Sequence, residues 1–249
     1  MKPEELVGIN IPVFFILLLI FESRHAARTF ETVSNWRRTG ALFFVMVLVV
    51  GSIVPMLIPV KWLASHRVFD LSMLGLWGVA VGILTTTFFA YWLHRAMHRF
   101  SFLWLGMHQL HHGARRLDLS GAYFSHPLEI ITKVSLATVV NVYFLGLTPL
   151  ATAQVSVFTA SVSMFQHMNV TTPRWLGYFL QRPESHGLHH EHNIHARNYS
   201  DLPLWDMVFG TFLNPQAFSG KIGFQLRNGP RITDMLLMRD VNKQECRKG

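Results

Sequence analysis

Histidine is concentrated in one part of this 249-residue chain, since twelve of the 14 histidines lie between His94 and His195. Most of these belong to three short motifs, HRAMH, HQLHH and HGLHH. On a helix, residues three and four positions apart share a face, so each motif is expected to direct two or three imidazoles at one point. Imidazole suits iron, copper, zinc or nickel. The spacing therefore predicts a metal site.

The number of histidines indicates more than one ion. Four ligands close a structural zinc site and three leave a catalytic site open, so the eight or nine histidines near the motifs are too many for one ion. Two ions are the simplest solution. Such a centre, with ligands from several helices and open to a lipid-facing pocket, is suited to bind and reduce oxygen.

The helices that must position these histidines are apolar. Half of the residues are hydrophobic and 14% are charged, whereas soluble domains have about a quarter charged residues. Long uncharged runs cover residues 6–21, 41–60, 71–93 and 134–173, and Gly146, Thr148 and Pro149 interrupt the last one. We expect an all-α integral membrane protein with about four to five membrane helices or hairpins. A histidine-rich helical cap would face the cytosol.

Three regions are expected along the chain: N-terminal membrane helices in 1–86, a catalytic region in 87–213 and a polar cytosolic tail in 214–249. No small-residue cleavage site follows the first apolar run before Arg24, so this run is interpreted as a retained anchor and not a signal peptide. Each half of the fourth run is short, and the two halves are therefore either a partial hairpin or two crossings. The lone Cys246 predicts no disulfide or CxxC site.

The distribution of positive charge predicts the orientation. If residues 22–40, 94–133 and those after about 166 face the cytoplasm, 19 of the 22 Lys and Arg residues lie there. All three histidine motifs then lie at the cytoplasmic face, of either a bacterial inner membrane or the endoplasmic reticulum. This topology accounts for the net charge of +8. We therefore expect no nucleic-acid partner.

The three motifs, with Asn198-Tyr199 and the run LWDMVFGTF at 204–212, resemble the fatty acid hydroxylase and sterol desaturase superfamily of membrane oxygenases. The resemblance covers about residues 87–212. It implies a di-iron centre, O2 as co-substrate, and hydroxylation or desaturation of a lipid, with no catalytic residue apart from the metal ligands. Some members have a histidine where this chain has Ser163, and a water or a neighbouring histidine would replace it here. The implied ligands are His94, His98, His108, His111, His112, His167, His186, His189 and His190.

Electrons must come from a separate donor, because the chain has no GxGxxG motif, cysteine cluster or recognisable haem-binding segment. A cytochrome or ferredoxin type of carrier is expected. Zinc is a possible substitute for iron in these sites. The main alternative is a membrane protein that binds zinc or haem without oxidase chemistry. A metal transporter is disfavoured, since the apolar runs contain hardly any polar residues to form a pathway.

Other polar and aromatic residues have more than one interpretation. His126 is interpreted as a structural residue or a ligand-supporting one, whereas His192 and His195 either orient ligands or lie in a solvated loop. Trp205 and Gly210 are expected to pack the cap. Four acidic residues are candidates to accept hydrogen bonds from the ligands: Asp118, Glu184, Glu191 and Asp206. Four aromatic residues are expected as anchors at the membrane interface: Trp36, Trp62, Tyr91 and Trp92.

Overall fold

The computed structural model describes residues 2–192, 194, 196–224 and 231–241. His195 and Cys246, which the sequence analysis singled out, lie outside these residues. Within them the chain is helical, and its β pairing is limited to an isolated bridge between Glu191 and Ile222. The all-α prediction is confirmed. The α-helices are α1 (Pro3–Arg24), α2 (Trp36–Leu57), α3 (Val60–Ser65), α4 (Leu76–Arg99), α5 (Ser101–Leu103), α6 (Gln109–His112), α7 (Pro127–Thr138), α8 (Pro149–His167), α9 (Pro183–His189), α10 (Pro203–Val208) and α11 (Ile232–Leu236).

Four helices of the described chain are long and apolar enough to cross a membrane. The protein is therefore an integral membrane protein, as the composition predicts. The fourth of these spans consists of α7 and a π-helical continuation at Val139–Phe144. The spans are Leu6–Arg24, Trp36–Leu57, Leu76–Arg99 and Pro127–Phe144.

The chain reverses direction between α7 and α8, where the sequence predicted a turn. Gly146 has a positive φ of 62°, which glycine adopts without strain. The Thr148 hydroxyl then caps α8 by accepting a hydrogen bond from the Ala151 N–H, and Pro149 occupies the first helical turn. These local signals end one helix and begin the next, so α7 and α8 run as a hairpin.

The helices meet the histidine region at one end of the bundle. Contacts join α1 with α8, α2 with α7, and α4 with α8. Near the end of α1, one carboxylate oxygen of Glu22 accepts hydrogen bonds from the backbone N–H groups of Leu119 and Asn169. It thereby connects this helix end with the segment that follows the second motif and the one that follows α8. The end of α1 is thus held beside segments that adjoin the histidine region.

Two of the four expected interface anchors are internal instead. Trp36 is 5% exposed and its indole donates a hydrogen bond to the Asp118 carboxylate, while Tyr91 is fully buried. The prediction for these two residues was wrong because each side chain has a polar partner inside the protein. For the Tyr91 hydroxyl this partner is the Thr211 hydroxyl. Trp62 and Trp92 are exposed, as an interfacial position requires.

The described part of residues 214–249 packs onto the second histidine motif. The Gln109 carboxamide donates to the Arg239 carbonyl and accepts from the Val241 N–H. Met235 and Val241 are buried in the hydrophobic core that also contains Leu110. This segment therefore covers α6, the helix that contributes two of the expected ligands.

Candidate metal centre

All nine histidines that the resemblance implied as ligands converge in the structure. Among the described residues they form two groups, and the candidate ligand nitrogens in each lie within 4.8 Å of one another. The five-histidine group consists of His94, His98, His108, His112 and His189. The four-histidine group consists of His111, His167, His186 and His190.

Two of the motifs are divided between the groups. In HQLHH, His108 and His112 belong to the five-histidine group and His111 to the other. In HGLHH the division is reversed. His186 and His190 belong to the four-histidine group and His189 to the five-histidine group. The expectation that each motif points at a single position was wrong for these two. Positions i+3 and i+4 lie about 100° apart around a helix, so neighbouring imidazoles diverge towards two sites.

A π-helical turn at Trp104–His108 precedes the second motif. It leads directly into α6, so His108 lies at the junction of the two helix types. π-Helical turns are rare and frequently occur at functional sites. The spacing of the motif predicted a regular helix, and no residue type within it signals the change.

The ring nitrogens that face each other are all Nε2 atoms. In the five-histidine group His94 Nε2 lies 2.9 Å from His108 Nε2, and in the four-histidine group His186 Nε2 lies 3.0 Å from those of both His167 and His190. An ion about 2.1 Å from each of two nitrogens at a right angle would separate them by about 3.0 Å. The spacing therefore matches neighbouring ligands on a shared ion.

In several of the rings the opposite nitrogen, Nδ1, makes a hydrogen bond that fixes the tautomer, whereas Nδ1 of His186 is buried without a hydrogen-bond partner among the described residues. The Nδ1 atoms of His94, His167 and His189 donate to the backbone carbonyls of Tyr199, Ser163 and Arg197, at 2.6, 2.6 and 2.8 Å. An imidazole that donates through Nδ1 and is neutral has an unprotonated Nε2. This is the arrangement by which metal-ligating histidines are oriented.

His108 makes the corresponding bond to an acidic side chain. Its Nδ1 lies 3.0 Å from Oε1 of Glu129, a fully buried residue. The Lys133 ammonium is 2.7 Å from the same oxygen and favours the ionised carboxylate, which accepts a hydrogen bond from the imidazole Nδ1–H. Consequently His94 and His108 both direct an unprotonated Nε2 at each other. Two lone pairs 2.9 Å apart repel, and a cation between them removes this repulsion.

Burial keeps the imidazoles neutral. Burial lowers the imidazole pKa well below 6.5 in five candidate ligands, and the neighbouring histidines lower it further. The five are His108, His111, His112, His186 and His190. A metal ion needs the unprotonated ring, so no proton has to be displaced near neutral pH. The donor set thus fits first-row transition ions that favour nitrogen ligands.

Glu129 contacts a candidate ligand, although no sequence motif indicated this contact. The expected partners of the ligands make other contacts: Asp118 accepts from Trp36, Glu184 from Thr172, and Asp206 from backbone N–H groups. Of the four acidic candidates, Glu191 has its described backbone pairing with Ile222. The described contacts of Asp118, Glu184 and Asp206 therefore do not reach a ligand ring, whereas a hydrogen bond from a ligand to the Glu191 side chain stays a prediction. Glu129 is separated from His108 by 21 residues, and only the packing of α7 brings the two together.

Two of the histidines with open roles have structural ones. His126 caps α7 by accepting the Leu128 N–H at Nδ1, and its Nε2 donates to the Leu236 carbonyl. His192 Nδ1 lies 2.9 Å from the Gly223 carbonyl oxygen and joins the end of the third motif to the segment behind it. Both side chains hold the cap together and do not belong to either histidine group.

The sequence of the chain identifies its family. A model of the family described as fatty acid hydroxylase matches residues 79–211, which is just over half of the chain. This range contains every member of both histidine groups. The protein belongs to the fatty acid hydroxylase and sterol desaturase superfamily.

Curated relatives are similar over about half of this chain. Ornithine lipid hydroxylase OlsE of Rhizobium tropici is 29% identical over 55% of the chain and 42% of its own length. Very-long-chain aldehyde decarbonylase GL1-9 of Oryza sativa subsp. indica is 27% identical, and sphinganine C4-monooxygenase 2 of Arabidopsis thaliana is 25% identical, each over 53% of both chains. The chain thus spans about half the length of these relatives. No solved structure matches it.

Proposed function

We propose that this protein is a membrane di-iron oxygenase that hydroxylates or desaturates a lipid with O2 and external electrons. The observation that carries the proposal is the set of Nε2 atoms that face one another about 3 Å apart in two adjoining groups, among which those of His94 and His108 are unprotonated. The groups are in contact, since the rings of His112 and His190 stack with centroids 4.2 Å apart. Two ions held there would be close enough to act on one molecule.

The proposed ligands are the nine histidines of the two groups. The chemistry that iron supplies in such a site is the reduction of oxygen and the oxidation of a carbon–hydrogen bond. The protein positions the ligands through the carbonyls of Tyr199, Arg197 and Ser163 and through Glu129. Seven of the nine histidines are buried, which limits the access of bulk water to the ligand atoms. No further catalytic residue is needed for this proposal.

Ser163 gives the two proposed sites different coordination. In the described chain the four-histidine group has one imidazole fewer. The Ser163 backbone carbonyl accepts a hydrogen bond from His167 Nδ1, so this residue orients a ligand without being one. An ion in this group would have more room for an exogenous ligand such as water or oxygen. We propose that this group contains the more open coordination position.

The proposed substrate class is a membrane lipid. The names of the relatives describe action on an ornithine lipid, a very-long-chain aldehyde and sphinganine. A site at the end of a membrane bundle is suited to such substrates. The family disfavours the alternative of a zinc or haem protein without oxidase chemistry.

The reductant and the orientation are further parts of the proposal. Arg95 and Arg99 lie at the end of α4 that carries the first motif, and the excess of Lys and Arg on this side favours a cytoplasmic active site. A cytochrome or ferredoxin type of carrier would deliver electrons there. An acidic surface on this carrier would complement the basic one.

The test is mass spectrometry of the lipids of cells with and without the gene, grown under 18O2. Expression of the protein should produce a lipid that has gained one 18O atom or lost two hydrogens. Cells that express His189→Ala at an equal level serve as the control and should lack this product. Identical lipid profiles in all three strains would contradict the proposal.

A further inference from the structure

An apolar outer surface lies after the third histidine motif. It is formed by α10 and by the 3₁₀ turn at Arg174–Tyr178 with the residue that follows it, two elements that contact each other. We call it the α10 surface. Its exposed hydrophobic side chains are 40–67% exposed, and they are Trp175, Tyr178, Phe179, Leu204, Met207 and Val208. The exposed Arg174 begins the turn, and its guanidinium donates to the Asn214 carbonyl. Grouped exposure of this kind marks an interaction surface.

The position of this surface along α4 indicates what covers it. The Trp205 indole donates a 3.0 Å hydrogen bond to the Thr87 hydroxyl and packs on Phe88. Thr87 lies inside the candidate span Leu76–Arg99 and precedes His94 by seven residues. At 1.5 Å per residue, this places the contact about 10 Å further into the span than the first ligand. The α10 surface is therefore at the depth of the membrane.

The backbone around α10 is suited to a medium without water. The Asp206 carboxylate accepts hydrogen bonds from the backbone N–H groups of Tyr199 and Ser200. The backbone carbonyl of Asp206 accepts hydrogen bonds from the backbone N–H groups of Thr211 and Phe212. The Asn198 side chain pairs with both the N–H and the carbonyl of Leu213. Irregular backbone at membrane depth requires such internal hydrogen bonds, because lipid supplies none.

We propose that the α10 surface is re-entrant and embedded in the acyl-chain region of the bilayer, so that lipid chains are its partner. The exposed Trp92 of α4 packs on Phe209, which follows α10, with ring centroids 4.9 Å apart, so the surface adjoins an exposed side of a candidate membrane span and lipid is favoured as its occupant over another protein. Inward of this surface lies Tyr199, whose carbonyl orients His94. The lipid-embedded segment thus forms the wall between the bilayer and the five-histidine group. This inference stands independently of the proposed reaction.

Fluorescence quenching in lipid nanodiscs tests the depth. The environment-sensitive fluorophore NBD is attached to Val208→Cys, and to Gln216→Cys as an exposed control, in a Cys246→Ser background. We expect lipids brominated on their acyl chains to quench the Val208 probe several-fold more than the Gln216 probe. Aqueous iodide should show the reverse preference.

Iodide quenching of the Val208 probe as strong as that of the control would overturn the proposal. Protection from both quenchers would also overturn it, because protein and not lipid would then cover the surface. Leu204→Cys, 40% exposed on the same helix, is a second labelling position if the first variant does not fold. Size-exclusion chromatography of each labelled variant establishes that it is folded.

Discussion

At the scale of single residues, Glu129 connects the metal centre to the membrane helix α7. Its carboxylate binds the His108 imidazole and the half-exposed Lys133 ammonium at the same oxygen. A charged acceptor makes the imidazole a more basic ligand and fixes its Nε2 towards the group. Replacement by a neutral amide retains the shape and removes the charge.

Glu129→Gln should therefore weaken metal binding by about 10- to 100-fold, the range found for residues that support metal ligands. Titration of the metal-free protein with Co(II) or Fe(II) measures this affinity. Glu31→Gln is the matched control, because Glu31 is exposed and its pairing with Arg115 is a 3.4 Å surface contact. Equal affinities for the two variants would show that the carboxylate charge has no role.

The lowered histidine pKa values predict how stability depends on pH. In the folded metal-free protein, burial keeps His108, His112 and His190 neutral, whereas in the unfolded chain each takes up a proton near pH 6.5. The neutral rings therefore contribute fully to the free energy of unfolding above pH 6.5. Below pH 6.5 this free energy falls by about 1.4 kcal/mol per pH unit for each proton that the unfolded chain binds.

We expect the melting temperature of the metal-free protein in detergent to decrease from pH 7.5 to pH 5.5. Bound metal should move this decrease to lower pH, because protons must then displace the ion. A melting temperature that stays constant or rises on acidification would contradict the assigned neutral state of these rings.

The residues of the site were predictable to different degrees. Eight of the nine histidines could be found because their motifs are local in sequence, and His167 was indicated by the resemblance to the family, although Ser163 had left one position open. The division of HQLHH and HGLHH between two groups depends on how α6 and α9 face each other, which spacing alone does not specify. Glu129 was missed because its contact with His108 is made only in the folded chain.

At the scale of the elements, close packing of α4 against α8 and the end of α7 positions the first motif. A Cβ atom at Gly82 would lie 2.7 Å from Val155 Cγ2, 2.8 Å from Leu147 and 2.9 Å from Asn141. These neighbours are buried side chains with little room to move. Glycine at this position therefore permits the helices to approach each other.

Gly82→Val should separate these helices and destabilise the protein by about 1 to 3 kcal/mol, the usual cost of overpacking. Gly51→Val, in α2, is the control, since a Cβ atom there would have no neighbour within 4 Å. Thermal melting in detergent compares the two variants. A control that is destabilised as much as Gly82→Val would contradict this account of the packing.

The elements themselves were largely predictable because their signals are local. The apolar runs identified the membrane helices, and Gly146 and Pro149 marked the break between α7 and α8. The π-helical turn before α6 could not be predicted, since the tertiary contacts of its residues decide it. Trp36 and Tyr91 were assigned to the interface because burial against a distant partner is not visible in a local pattern.

At the scale of the whole molecule, the bundle has two distinct ends. The histidine groups, the end of α1 and the segment 231–241 meet at one end, whereas α3 contacts the π turn at Val139–Phe144 at the other. The expected cytoplasmic orientation of the first end follows from the positions of the Lys and Arg residues. It remains a prediction that can be tested by chemical labelling.

Single cysteines at Ser65 and Ser219, introduced separately into a Cys246→Ser background, should respond differently to an impermeant maleimide applied to intact cells. Ser65 follows α2 and is exposed, and we expect it to be labelled from outside. Ser219 lies in the cap and should react only after permeabilisation. The opposite pattern would reverse the proposed orientation.

The most direct test of the two-ion centre is the number of iron ions bound by purified protein in nanodiscs. The account predicts two per chain in the native protein, and about one in His111→Ala and in His189→Ala, since each variant impairs a different group. The Gln216→Ala variant is the control and should retain two. A native protein that binds one ion, or single-group variants that both retain two, would contradict the assignment of two metal sites.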